Sequence, residues 1–379
     1  MIYLFKLIDL FFGTSTYFSL RIDEIAFLAG GKRFDLAEKA LFQLEEDAAF
    51  LRYRKELHAE IFFFLAELYY MWGKPHLALD FCLKSREIVP RIEFTFRAGW
   101  IQFHAFKELD KSREYFLSCL NSQPGFHPAL FALGEVELQL HNLDAAEKYF
   151  RLALDQKKDP AVFLHLGQIL LNKENFSDAL DALKSALKLS PESAEINYFL
   201  GCAFLREADH TQALYHFRQA TFFDNSYTLA YYEIARIYHL ILGETDKAII
   251  AYNKILEFKP ESDEALFNLA LIFSRLKRNT AKAMQLLFRL LKYHPRHQQA
   301  ISLLCDIYTG TWNYGLALKY LEQLEPAPEN QLRMADLLFK LCSWTRAEEI
   351  YIDLYQKGFT EVENKIKKIA LFPGNSVCT

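Results

Sequence analysis

Apolar residues along this chain recur at three- and four-residue spacing inside short windows, and the windows come in pairs. In residues 160–191, PAVFLHLGQILLNKENFSDALDALKSALKLSP, Leu166, Gly167 and Leu170 share one helical face and Ala179, Leu183 and Ala186 share another. The stretch from Lys173 to Phe176 separates the two windows. Pro191 stops the second, because proline supplies no backbone N–H to continue a helix. The pattern predicts two amphipathic helices folded back on each other as a hairpin. Gly167 and Ala179 are small where the two backbones must approach, and Leu170 and Leu183 fill the space beside them.

The small residue that opens the second helix recurs at 37, 78, 112, 146, 179, 213, 248, 283, 317 and 347, and eight of the nine intervals lie between 30 and 35 residues. The order L-G-x2-L, then A-x3-L-x2-A, then P, resembles the tetratricopeptide (TPR) consensus, a helix-turn-helix unit of roughly 34 residues. The resemblance implies about ten TPR-like repeats over residues 17–360, an all-α fold, and a right-handed α-solenoid superhelix of stacked hairpins. It also implies a concave wall built from the first helix of each repeat and a role in binding another protein. The expected layout is an apolar N-terminal helix over residues 1–16, the solenoid over 17–360 with a break at 47–54, and a capping helix and tail over 361–379. Lys365, Lys367 and Lys368 would give the last helix a polar face. The units built on residues 248 and 283 each carry one extra residue in the inter-helix turn.

Composition supports a packed helical protein. The chain of 379 residues is half apolar, with 34 Phe and 20 Tyr against only 14 Gly and 11 Pro, enough to bury a continuous core. A net charge of -4 gives no bulk attraction to nucleic acid or to an anionic membrane, and the resemblance implies a protein or peptide partner. Six cysteines occur without a CxxC pair, and a reduced, cytoplasmic setting fits them. The opening MIYLFKLIDLFF is interrupted by Lys6 and Asp9 and is too short to span a bilayer. It reads as a structural first helix, a membrane-surface or partner-docking helix, or an unusual signal segment.

No constellation for catalysis, cofactor or metal is visible. The chain has no P-loop, GxGxxG, GxSxG or HExxH motif, and His58-Ala59-Glu60 lacks the PCxxC that would complete a zinc deaminase site. His294 and His297 flank Pro295, which ends the helix between them. Arg275, Lys277, Arg278 and Lys282 bunch at one turn, with Arg289, Lys292 and Arg296 beyond it, as a solvated turn and helix face or as an anion-facing patch.

By the resemblance, the partner groove is lined by the fifth and ninth residues of each first helix, with help from the second, twelfth and thirteenth. The fifth positions are Phe63, Phe96, Phe131, Leu164, Tyr198, Tyr232 and Phe267, and the ninth are Glu67, Trp100, Glu135, Gln168, Cys202, Arg236 and Leu271. An aromatic stripe of this length is apolar surface that a monomer rarely leaves uncovered. The alternative is that each ring packs against the neighbouring helix and thickens the wall. The Lys, Arg and Asn cluster with which some TPR domains grip a C-terminal carboxylate is not visible at these positions. Three roles remain open: an adaptor that holds a partner segment in the groove; a structural subunit of a membrane-associated or secretion assembly, docked through the convex face and the N-terminal helix; and an enzyme accessory subunit that carries no chemistry itself.

Overall fold

Ten residues in the left-handed region of backbone space, one per hairpin, set the architecture. Lys32, Gly73, Lys107, His141, Glu174, Ala208, Gly243, Arg278, Trp312 and Cys342 all have φ between 48° and 75°. Each lies five positions before one of the ten small residues picked out above. The computed structural model describes residues 24, 25, 27–48 and 54–370. The N-terminal residues 1–16, the tail beyond 370 and most of the expected break at 47–54 lie outside the described residues.

Among the described residues the chain is helical, with no strand. It divides into two compact units that meet in sequence between Pro191 and Glu192. The first contains α1 (Phe34–Ala48), α2 (Arg54–Met71), α3 (Pro75–Ile88), α4 (Ile92–Ile101), α5 (Leu109–Ser122), α6 (His127–Gln139), α7 (Leu143–Gln156), α8 (Pro160–Asn172) and α9 (Phe176–Leu189). The second contains α10 (Ala194–Arg206), α11 (His210–Phe223), α12 (Thr228–Arg236), α13 (Thr245–Phe258), α14 (Asp263–Arg275), α15 (Thr280–Tyr293), α16 (Gln298–Gly310), α17 (Tyr314–Leu321), α18 (Pro328–Lys340), α19 (Trp344–Gln356) and α20 (Glu363–Ala370). Within each unit, even-numbered helices up to α18 open a hairpin and odd-numbered ones close it, α1 and α20 standing at the ends.

The left-handed residues make the hairpins. At the end of α6, His141 N–H bonds to the Leu138 carbonyl and Asn142 N–H to the Glu137 carbonyl; the same pair of bonds recurs at Glu174–Asn175, Ala208–Asp209, Trp312–Asn313 and Cys342–Ser343. These bonds satisfy carbonyls that the helix end would otherwise leave bare, and they reverse the chain in two residues. The next residue starts the second helix: Asn175, Asp209, Asn279 and Asn313 each accept from a backbone N–H three residues on. Only two of the ten left-handed positions are glycine, so eight side chains sit where a Cβ costs energy. Ala208→Gly is therefore expected to raise stability by about 0.5–1 kcal/mol, offset in part by a freer unfolded chain, as measured by chemical denaturation.

All ten small residues are fully buried, and so is the residue four positions beyond each, from Leu41 and Cys82 through Phe150 and Phe217 to Tyr351. The glycines explain the close approach. A Cβ on Gly134 would sit 2.4 Å from the Phe150 ring, one on Gly167 2.6 Å from Leu183 and one on Gly201 2.6 Å from Phe217. Ion pairs then lock one hairpin to the next: Glu60 with Arg91, Lys173 with Asp144 and Glu147, Arg333 with Asp306, and Lys365 with Asp336. Lys365 is thus committed to packing, while Lys367 pairs with Glu363 on its own helix.

The extra residue expected before position 248 is absorbed by a π-turn, Ile237–Ile241, which ends α12 and is closed by Leu242 N–H on the Ile237 carbonyl. A second π-turn, Gln102–Phe106, ends α4. Cys82, Cys119 and Cys305 are buried free thiols at packing positions. The basic cluster is partly used in packing: Lys277 pairs with Asp246, Lys282 lies 4.4 Å above the Phe273 ring, and Arg289 donates to the Pro260 carbonyl. His297 caps α16 and His294 contacts the Glu261 carbonyl, so the two have separate structural tasks.

Candidate partner-binding site

The inner-face positions fall on first helices throughout. In the first unit Phe63 and Glu67 stand on α2, Phe96 and Trp100 on α4, Phe131 and Glu135 on α6, and Leu164 and Gln168 on α8. In the second, Tyr198 and Cys202 stand on α10, Tyr232 and Arg236 on α12, and Phe267 and Leu271 on α14.

The fifth-position rings are tied into the seams between hairpins. Phe96 lies 5.5 Å from Phe116 on the second helix of its own hairpin and 5.7 Å from Phe126 at the start of the next. Phe131 is similarly placed between Phe150 and His165, and Tyr198 between Phe217 and Tyr227. Tyr232 and Ser262 share a hydroxyl hydrogen bond, Phe267 stacks near His297, and Phe63 packs on Phe94. Phe126, Tyr227, Ser262 and His297 are each the cap residue of the following first helix. Every such ring therefore contributes to stacking and keeps only an edge in solvent; Leu164 is buried outright.

The ninth positions carry the polar chemistry. Glu67 accepts from Arg97 at 2.7 Å, and the Arg97 guanidinium is stacked 4.2 Å over Trp100 and 4.7 Å over Tyr70. Burial pushes the Glu67 carboxyl above its ordinary range, and Arg97 pulls it part of the way back. Glu135 has no ion-pair or hydrogen-bond partner among the described residues, and burial alone raises its carboxyl to about 7. The folded state therefore binds the Glu135 proton more tightly than the unfolded chain. The stability this confers is present below about pH 4.5 and is lost as pH rises through about 7. Wild type should lose on the order of 1–2 kcal/mol more than Glu135→Gln between pH 5 and pH 8, after discounting for the water that still reaches the carboxyl. Urea denaturation at the two pH values measures it.

In the second unit the same face opens. Tyr198 and Cys202 line the face one turn apart on α10, and Arg236 holds both Glu233 carboxylate oxygens at 3.0 Å. Around them lies an open recess of about 530 Å³, walled also by Leu205, Arg206, His210 and Leu240. Of the residues expected from the repeat pattern, Tyr198, Cys202 and Arg236 are brought together here. Arg206 and Leu240, both at the thirteenth position, complete the recess but are not among the residues singled out by the fifth and ninth positions. The signal for Leu240 was available: Leu240, Ile241 and Leu242 form an aliphatic run in a turn where polar residues are the rule.

Comparison with known proteins follows this geometry. Family models described as tetratricopeptide repeat match residues 127–160, 164–228, 229–262 and 264–297. The chain is 33% identical over 125 residues to BBSome complex member BBS4 of Bos taurus, which covers 32% of this chain and 23% of that protein. It is 26% identical over 181 residues to the antiviral innate immune response effector IFIT1 of Macaca fascicularis, covering 42% of this chain and 37% of that one. The chain thus spans well under half the length of either relative. The crystal structure of the C-terminal part of a TPR repeat-containing protein from Cytophaga hutchinsonii superposes with a TM-score of 0.50 at 18% identity, over 64% of this chain and 97% of that one, a likeness of fold. With matched repeats running from residue 127 to 297 and the same hairpin built on either side of them, the chain is a tetratricopeptide repeat protein.

Proposed function

We propose that this protein is a non-enzymatic scaffold that holds an extended or helical segment of a partner protein along its first-helix face, gripping it hardest at the recess around Tyr198, Cys202 and Arg236. One observation carries the reading: inner-face positions Tyr198, Cys202 and Arg236 line an open recess of about 530 Å³. The repeat family, generally one of interaction modules, supports it, as does the likeness to a protein whose name makes it a complex member. Cytoplasmic residence belongs to the same reading. No helix among the described residues is long and apolar enough to cross a membrane.

A second reading, docking through the second-helix face in a larger assembly, is favoured by Phe222 and Ile250, which stand 78% and 64% exposed on α11 and α13. A photo-crosslinking side chain at Cys202 separates the two. The groove reading expects crosslinks to a partner from Cys202 and none from Phe222 or Ile250; crosslinks from the second-helix sites alone would overturn it.

A further inference from the structure

The recess does not end at the first-helix face. The π-turn that closes α12 carries Leu240, Ile241 and Leu242 outward, 69%, 46% and 44% exposed, as a continuous aliphatic ridge. On its far side lies a second recess of about 440 Å³, bounded by Leu214, Tyr215, Arg218 and Leu242, and His210 belongs to both recesses. The π-turn takes up the surplus residue of this repeat by widening the last turn to an i→i+5 bond, and Leu240, Ile241 and Leu242 at its end are exposed to solvent.

Resting on the groove reading above, we infer that the two recesses and the ridge form one site, which takes an acidic partner segment with bulky aliphatic or aromatic side chains laid around the edge of the α12 hairpin. Charge complementarity selects the occupant. Arg206 makes no ion pair among the described residues, Arg236 faces a single carboxylate, Glu233, and Arg218 spends its guanidinium on the Tyr238 hydroxyl. The lining of the two recesses therefore carries three arginines against one carboxylate. His210 Nδ1 is buried without a partner, a polar atom waiting at the point where the recesses meet. A basic segment would meet uncompensated arginines, and a purely polar one would leave the ridge bare.

The test is a phage-displayed random 12-residue peptide library selected on the full chain, with recovered peptides titrated by fluorescence anisotropy. The expected peptides carry Asp or Glu beside Leu, Ile or Phe. Leu242→Ser and Arg206→Glu should each weaken them about 10-fold or more, and Tm should hold because both side chains face solvent. If Arg236→Glu weakens the peptides but Leu242→Ser does not, the extension around the edge is wrong while the groove reading stands. If neither substitution matters, or the selection yields nothing or peptides without acidic residues, both fail. A dimer in sedimentation velocity that Leu242→Ser dissolves, or binding to phosphatidylserine vesicles that it abolishes, would also overturn the inference, since the ridge would then serve a second copy or a membrane.

Discussion

Arg113→Ala is expected to cost about 3–5 kcal/mol of folding stability, the largest effect of any single substitution considered for this chain. Glu137 on α6 is 1% exposed, yet it is a carboxylate. Its charge is met by Arg113, whose Nε lies 2.8 Å away on α5 of the preceding hairpin, and by the Asn142 amide at 3.1 Å. The Arg113 side chain is 43% exposed, so its removal gives up part of its packing, but the larger loss is the counter-charge of the buried carboxylate. Adding Glu137→Gln removes that charge and should restore much of the loss. Urea denaturation of the two variants decides it: a loss below about 1 kcal/mol for Arg113→Ala would mean that the pair behaves as an ordinary surface ion pair.

Binding is expected to fall by about 2 kcal/mol, roughly 30-fold, in Tyr198→Ala, following the pattern of aromatic anchors in partly enclosed pockets. Tyr198 also packs on Phe217 and Tyr227, so its truncation will lower Tm as well. Arg236→Ala supplies the clean comparison. Its side chain is half exposed and its only ion pair among the described residues is local, so the fold should be indifferent to it. The loss of affinity should appear mainly in association rate and should shrink as salt is raised. Affinity measured at two ionic strengths, beside thermal melts, separates these outcomes. Unchanged affinity in both variants would remove the recess from the account.

Fold and site were legible to different depths. The ten small residues spaced along the sequence are the fully buried contact points of ten hairpins, because backbone approach admits no other side-chain size and so marks the sequence directly. The left-handed turns were hidden. Glycine advertises such a position, and here Glu174, Ala208 and Trp312 hold it instead, imposed by the bonds that reverse the chain. Helical periodicity also assigns a residue to a face without naming what it touches. Phe96 and Phe131 were correctly placed on first helices, but their contacts with Phe126 and His165 lie some 30 residues away and depend on how one hairpin sits on the next. The stack of Arg97 over Trp100 has the same origin. Part of the recess wall, Ile237, Leu240 and Ile241, lies on a π-turn, which a one-residue surplus signals only as a longer loop.

The central claim, that partners bind on the first-helix face of the second unit, is tested most directly by hydrogen–deuterium exchange of the full chain with and without a bound peptide. The account predicts new protection in α10, α12 and the π-turn Ile237–Ile241, with the outer positions of α13 and α15 unchanged. Protection confined to α11, α13 and α15, with α10 and α12 exchanging as in the free protein, would contradict it.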